Sequence, residues 1–239
     1  INKGLQTTLD LNEIKDCNIV IITLGTSSDK HVIKKFNQLI DDVISKITEG
    51  STIILRSTGT LNTINKIIED KTFNTKKLHL YYCPERIAEG KSLEEIKKLP
   101  QIIGISQGGK GQYFELFFNS LGIKTQTTEY KNVVFLKLFT NAYRYAEFSI
   151  VNEFYNIAVQ NKLDYDEILD LAILDYPRLK NIPSKGFVGG PCLIKDTETF
   201  KIEYSKNSQL LSTLTDINSQ FMSNIIGERK EIFVEKKLP

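Results

Sequence analysis

Four short apolar runs divide the first half of the chain, and helical segments fill the gaps between them. This alternation limits the possible folds more than any other feature. The runs are Asn18–Leu24 (NIVIITL), Thr52–Leu55 (TIIL), Leu78–Tyr82 (LHLYY) and Gln101–Ile105 (QIIGI). Each has strand length and is apolar at most positions, as in strands buried on both faces. Between them, His31–Ile47, Leu61–Ile68 and Gln112–Leu121 read with helical period. Strands alternating with helices predict an α/β architecture, a parallel sheet covered on both faces. Ligands in such sheets bind at the carboxyl ends of the strands. Three loops leaving those ends are therefore informative: GTSSD after Leu24, RSTGT after Leu55 and CPERIAEG after Tyr82.

The second half is different. From Asn132 to Asn161 the chain has neither Gly nor Pro and is rich in Leu, Phe, Ala and Tyr, which predicts one long helix. Asp164–Leu174 reads as a second helix, with Asp164 as N-cap and Glu167 placed for a capping box. A loop with Pro177, Pro183 and glycines at 186, 189 and 190 follows, and Thr197 to about Ile226 reads as a third helical stretch. The expected division is a sheet domain over 1–128, an all-helical domain containing the long helix over 129–226, and a charged tail over 227–239.

Composition narrows the function classes. The net charge of +2 gives no electrostatic basis for binding nucleic acid or an acidic membrane. No apolar run approaches the ~20 residues of a membrane span, and no secretory leader is read at the start. The three cysteines, Cys17, Cys83 and Cys192, are widely spaced, and only two histidines accompany them. That pattern predicts no metal site and free thiols in a reducing, cytoplasmic setting.

Several polar residues stand where apolar ones are expected. Lys137 and Asn141 lie four apart on the long helix and Arg144 follows one turn later, among Val133, Phe135, Leu138, Ala142 and Ala146. Such a stripe either faces solvent or needs partners in a buried setting. Glu85 and Glu89, also four apart, either divide acid and base roles or suit a helix N-terminus. Cys192 follows the glycines, with Lys195 and Asp196 after it. Glycines let backbone approach a ligand, and a lysine near a thiol favours the nucleophilic thiolate. On the other reading, Asp196 caps the following helix and the thiol is idle.

The motifs CPERIAEG, LKLFTNAYRYAEFSIVNEF and GFVGGPCLIKD occur in this order. With them, the chain from near Ile1 to about Ile226 resembles the nucleotide-sugar dehydrogenases of the UDP-glucose/GDP-mannose dehydrogenase family. It is most similar to the branch acting on UDP-N-acetylmannosamine. The resemblance implies a Rossmann-like sheet, NAD as cofactor and a nucleotide sugar as substrate, whose C6 alcohol is oxidised to a carboxylate by two NAD⁺ through a cysteine thioester. It implies Cys192 as nucleophile, Lys137 and Asn141 on the sugar and the oxyanion, Asp196 in base chemistry, and Lys195 on the NAD. Glu85 is implied near substrate and the hydrolytic water, and Glu89 near the nicotinamide. Thr26 and Thr58 are implied along the NAD site, and Arg144, Arg178 and Gly189 at the substrate. A homodimer through the long helix is also implied, and the spread of Phe135, Leu138, Phe139, Ala142, Tyr145, Ala146 and Phe148 around that helix points the same way.

The chain departs from the family pattern in three places. No G-x-G-x-x-G precedes the first helix, and ISQGGKGQYF brings its glycines late in the sheet. The sequence ends soon after the third helical stretch, where the family continues into a second nucleotide-binding-like domain. RSTGT is also shorter than the family's loop. The expectation is therefore a partial dehydrogenase that binds NAD weakly by itself. UDP-glucose as substrate and an inactive helical dimerisation module remain as alternatives. A two-electron 3-hydroxyacid-type dehydrogenase shares the plan but has no use for Cys192.

Overall fold

The computed structural model describes residues 4, 6–26, 29–87, 90, 92–106, 112–188, 190–204 and 208–235. The chain divides into two compact units, Ile1–Lys137 and Leu138–Pro239.

Among the described residues, the first unit holds one five-stranded sheet, with β1 (Ile19–Ile22), β2 (Thr52–Leu55), β3 (His79–Tyr82), β4 (Gln101–Ile105) and β5 (Thr125–Glu129) side by side in sequence order. The expected strands are all present, and β1, β2 and β3 are parallel, as are β4 and β5. The sheet is thus mostly parallel, but β3 meets β4 antiparallel through Tyr81↔Ile105 and Tyr82↔Gly104. A parallel neighbour requires a crossover back along the full strand. The described helix between β3 and β4 is α4 (Ser92–Lys98), whose seven residues span only about 10 Å. Strand β5 was not anticipated, because its sequence TQTTE has no apolar alternation and rests on β-branched threonines.

The same unit carries helices α1 (Lys30–Lys46), α2 (Leu61–Glu69), α3 (Lys71–Thr75) and α5 (Gln112–Ser120). The Asp29 carboxylate accepts from His31 N at 2.7 Å to start α1, and Thr60 Oγ1 accepts from Thr63 N at 3.1 Å to start α2. At the far end of α1, Lys76 Nζ donates to the carbonyls of Ile44, Ser45 and Ile47 at 3.1, 2.7 and 2.7 Å. A cation there complements both the free carbonyls and the helix dipole. On one face of the sheet Ile54, Tyr81 and Ile103 pack against Phe114 and Phe118 of α5. On the other, Leu55 and Tyr82 approach Gly59 and Ile64 at the start of α2.

Helix α6 runs from Tyr130 to Gln160, so the boundary between the units falls inside it. Its 31 residues span about 46 Å. The second unit continues with α7 (Tyr165–Ile173), a 3₁₀ turn at Pro177–Leu179, α8 (Pro191–Tyr204) and α9 (Gln209–Glu235). Asp164 caps α7 as expected, accepting from Asp166 N and Glu167 N at 3.0 and 3.1 Å. The single third helical stretch expected over Thr197–Ile226 is instead two helices. Ser208 Oγ accepts from Leu211 N at 3.3 Å and starts α9 afresh. Helix α8 also begins earlier than expected, at Pro191, a residue suited to the first helical position.

Among the described residues, two apolar clusters hold this unit. Ala142 and Tyr145 of α6 pack with Val188 and with Leu211 and Leu214 of α9. Val151, Tyr155 and Ala158 pack with Tyr165 of α7 and Phe221 of α9.

Among the described glycines, Gly104 of β4 makes the tightest approach, against the start of α6. A Cβ on Gly104 would lie 2.8 Å from Tyr130 Cα and 3.2 Å from Val133 Cγ2. Gly104→Ala should therefore destabilise by about 1–3 kcal/mol, the usual cost of overpacking. The measurement is urea unfolding, with a lower midpoint and an unchanged m-value. A variant as stable as the parent would show that helix and sheet separate freely.

Candidate active site

Strands β1, β2 and β3 end in register, with Ile22 beside Leu55 and Leu55 beside Tyr82, so three loops leave one edge of the sheet together. Thr26 and Thr58 lie on the first two loops and are half-buried. Gly25, before Thr26, faces open space. On the third loop, Glu85 Oε1 accepts from the backbone N–H groups of Arg86 at 2.8 Å and Ile87 at 3.1 Å. Its Oε2 pairs with the Arg56 guanidinium, which also donates to Gln101 Oε1 at 2.8 Å. Arg56, Glu85, Arg86 and Gln101 line a cavity of about 280 Å³. Glu89 lies outside the described residues.

Arg56 was not singled out in the sequence, although an arginine directly after a fully apolar run must find a partner where the strand ends. It fixes the Glu85 side chain, so the choice left open for Glu85 is resolved in part. This carboxylate is tied to its own loop and to Arg56, and it caps no described helix.

On α6, Lys137 and Asn141 are half-buried and Arg144 is exposed, so the three do not form a single buried stripe. Asn141 Nδ2 donates to Asp196 Oδ2 at 2.6 Å, and Lys195 Nζ lies 3.3 Å from Asp196 Oδ1. The Asp196 side chain is 1% exposed. Asp196 therefore does not cap α8, as one reading had it. It lies inside the helix, because α8 starts five residues earlier than Asp196 at Pro191. Cys192, expected on a loop, is likewise in the first turn of α8. The helix brings Cys192, Lys195 and Asp196 to neighbouring positions along one side, since residues three and four apart share a face. Arg178 is exposed on the 3₁₀ turn and stacks on Tyr176 at 5.4 Å. Gly189 lies outside the described residues.

The described glycines of this loop, Gly186 and Gly190, border open space. A Cβ at Gly186 or Gly190 would meet no atom within 4 Å, and neither residue has a positive φ. Both line a cavity of about 460 Å³ with Phe148 and Phe187. Neither internal packing nor backbone conformation calls for glycine at these two positions, which leaves room for something outside the chain to approach.

The thiols are sharply distinguished. Cys192 is exposed, Cys17 is half-buried and Cys83 is buried. Burial pushes the Cys83 thiol up to about 12, and the nearby Arg56 cation offsets this only in part. Cys83 is thus a core residue beside Ile54 and Tyr81, while Cys192 is the accessible thiol.

Residues 1–121 match the family model described as UDP-glucose/GDP-mannose dehydrogenase family, NAD binding domain, and residues 132–220 match that family's central domain. A UDP-N-acetyl-D-mannosamine dehydrogenase from Methanocaldococcus jannaschii is 28% identical over 197 residues, which is 82% of this chain and 45% of the relative. One from Methanococcus aeolicus is 26% identical, with 96% of this chain and 57% of the relative covered. The solved structure of a UDP-D-ManNAc dehydrogenase from Pyrococcus horikoshii superimposes with a TM-score of 0.83 at 22% identity, covering 97% of this chain and 57% of that one. This last likeness establishes the fold. The chain spans about half the length of the curated relatives it matches.

The Cys83 setting predicts a pH dependence of stability. Folding favours its protonated thiol, so that contribution is fully present below the ordinary value of 9.0 and is lost as pH rises toward about 12. The unfolding free energy should fall over that window, and Cys83→Ala should flatten the fall. Urea titrations of both proteins under reducing conditions at several alkaline pH values make the comparison. Parallel curves would refute the buried-thiol account.

Proposed function

The chain belongs to the UDP-glucose/GDP-mannose dehydrogenase family, and from that premise we propose that within the full-length enzyme it oxidises the C6 alcohol of a UDP-sugar to the carboxylate, using NAD. UDP-N-acetylmannosamine is the substrate we favour, because the matched relatives carry that activity in their names. The observation that supports the chemistry is the exposed thiol of Cys192, next to glycines that border an open cavity.

The residues present suit part of a dinucleotide site. Thr26 and Thr58 offer hydroxyls at the carboxyl ends of parallel strands, where such ligands bind, and Gly25 leaves space beside them. Bound NAD⁺ supplies the hydride acceptor, and two are consumed for each sugar. In our reading Lys137 and Asn141 stabilise the oxygen that carries negative charge as the alcohol becomes aldehyde. Cys192 Sγ then adds to the aldehyde carbon and gives a thiohemiacetal, whose remaining C–H bond loses the second hydride. The product is a thioester on Cys192. Water, positioned by Glu85, attacks its carbonyl carbon, the C–S bond breaks, and the thiol and the carboxylate product are released. Asp196, held by Asn141 and Lys195, takes part in the proton transfers, and Lys195 also serves the cofactor. Glu89 completes the cofactor side, and Arg144, Arg178 and Gly189 the substrate side.

Cys192→Ser in the full-length enzyme tests this directly. Hydride release should stop short of two NADH per sugar, and uronate formation should fall by orders of magnitude. Complete conversion to the uronate at the parent rate would sink the thioester route.

We also propose a homodimer through α6, in a cytoplasmic protein with free thiols. Phe139, Tyr143, Ile150, Phe154 and Ile157 are 46%, 55%, 50%, 58% and 44% exposed. At about 100° per residue they fall on one stripe no wider than about 100°, the width of a packing face. Among the described residues no helix is long and apolar enough to cross a membrane. A second copy of the same face is a self-complementary cover. Sedimentation equilibrium should give twice the chain mass, and Phe154→Asp should shift the protein toward monomer. A folded chain that stays monomeric at every concentration would reject the dimer.

A further inference from the structure

Among the described residues, the segment before α8 has neither helix nor strand over 182–188, yet part of it is buried, with Val188 only 6% exposed. Buried backbone must find hydrogen-bond partners. Two asparagine side chains supply them. Asn152 of α6 donates from Nδ2 to Gly186 O at 2.9 Å, and its Oδ1 accepts from Gly186 N at 2.9 Å. Asn218 of α9 accepts on Oδ1 from Val188 N at 3.0 Å and donates from Nδ2 to Val188 O at 3.1 Å. Asn152 is 0% exposed and Asn218 is 4% exposed. Each amide therefore grips both the N–H and the C=O of one residue, as a neighbouring strand would.

The grip is specific to an amide of this length. A leucine would leave the N–H and C=O of the gripped residue unpaired. An aspartate would keep the acceptor but turn a second oxygen toward the carbonyl, and a glutamine would reach too far. The neighbouring contacts reinforce the grip. The Val188 side chain packs with Tyr145 and Leu214, and Lys185 Nζ lies 2.6 Å from Asp166 Oδ1 and 4.7 Å from the centre of the Tyr155 ring. Only residues 189 and 190 then separate Val188 from Pro191, where α8 begins.

We propose that Asn152 and Asn218 are positioning residues: they clamp Gly186 and Val188 and thereby set where the chain presents the Cys192 thiol at the start of α8. The proposal rests on the reading of Cys192 as nucleophile for its purpose, but not for its structural content. Asn156 provides an internal control. It is buried on α6 one turn beyond Asn152, but it accepts from Asn224 Nδ2 at 2.8 Å instead of holding the loop.

Amide hydrogen exchange and iodoacetamide labelling of Cys192, followed by mass spectrometry on this chain, test the clamp. In the unmodified chain the Gly186 and Val188 amides should exchange as slowly as core amides of α6. Asn152→Asp and Asn218→Asp should speed that exchange and change the Cys192 labelling rate at least about fivefold relative to the parent at neutral pH. The difference in amide exchange, referred to the intrinsic rate at each pH, should shrink in acid, where a protonated carboxyl again offers one donor and one acceptor. Labelling is compared at neutral pH, since the thiolate is the form that reacts. Asn156→Ala should leave the labelling within about twofold of the parent, because its side chain bonds Asn224 of α9 and not Gly186 or Val188. If the aspartate variants fail to fold, urea below the unfolding transition of the unmodified chain decides instead. Labelling of Cys192 should change in step with loss of protection at Gly186 and Val188. Fast exchange at those amides in the unmodified chain, labelling that ignores the aspartate substitutions, an equal effect of Asn156→Ala, or labelling that stays constant while protection is lost would each overturn the proposal. A full-length Cys192→Ser enzyme that still produced uronate would remove the nucleophile reading and leave these results standing.

Discussion

Ile53, Ile54 and Leu55 are covered on both faces of β2, and the polar residues that follow them must find partners where the sheet ends. The backbone does so at once, with Arg56 N and Ser57 N both donating to Ile22 O, at 2.9 and 3.2 Å. The Arg56 guanidinium leaves the same covered strand and takes Gln101 Oε1 and the Glu85 carboxylate. An unpaired cation there would carry a desolvation cost of several kcal/mol. The orientation of Glu85 is thus a consequence of sheet packing. The same burial raises the Cys83 thiol, so sheet packing leaves a buried thiol and an Arg56-paired carboxylate two residues apart on one loop.

The helical unit obeys the same rule with amides in place of charges. Ser149, Asn152 and Asn156 of α6 are all but fully buried, and Asn141 is half-buried. Ser149 Oγ donates to Tyr145 O at 2.9 Å, Asn141 meets Asp196, Asn152 meets Gly186, and Asn156 Oδ1 accepts from Asn224, although Asn156 Nδ2 stays without a partner among the described residues. Apolar helix faces can slide past one another with little change in buried area. Directional hydrogen bonds to α8, to the loop before it and to α9 remove that freedom. In this unit they fix the register, while the clusters around Tyr145 and Tyr155 supply the bulk of the burial.

The sequence was most legible where periodicity and burial agree. TIIL and QIIGI became strands with the expected bounds, and the Gly- and Pro-free run became one helix. It was least legible where a polar residue serves either setting. TQTTE carries no alternation, yet it completes the sheet beside β4. The restart at Ser208 was hidden inside a helical-looking stretch, and Pro191 looked like a loop residue although it begins a helix. The spacing of Cys192, Lys195 and Asp196 could be seen, but their shared face could not until that helix start was known. Asn152 and Asn218 look like any surface asparagine on a helix. Only the loop that folds against them, distant in sequence, distinguishes them.

Two kinds of glycine now separate on physical grounds. Gly104 is demanded by the chain itself, since any side chain would strike Tyr130. Gly186 and Gly190 are not, since a Cβ at either would enter open space. Yet both backbone groups of Gly186 are held by Asn152, so this bare segment is firmly gripped. A loop fixed on its buried side and lacking a Cβ at Gly186 and Gly190 beside the cavity offers an incoming molecule a close approach at those two positions without the entropy cost of ordering a flexible segment. That combination is costly to maintain for packing alone. It suits the close approach of a substrate carbon to the Cys192 thiol that we propose.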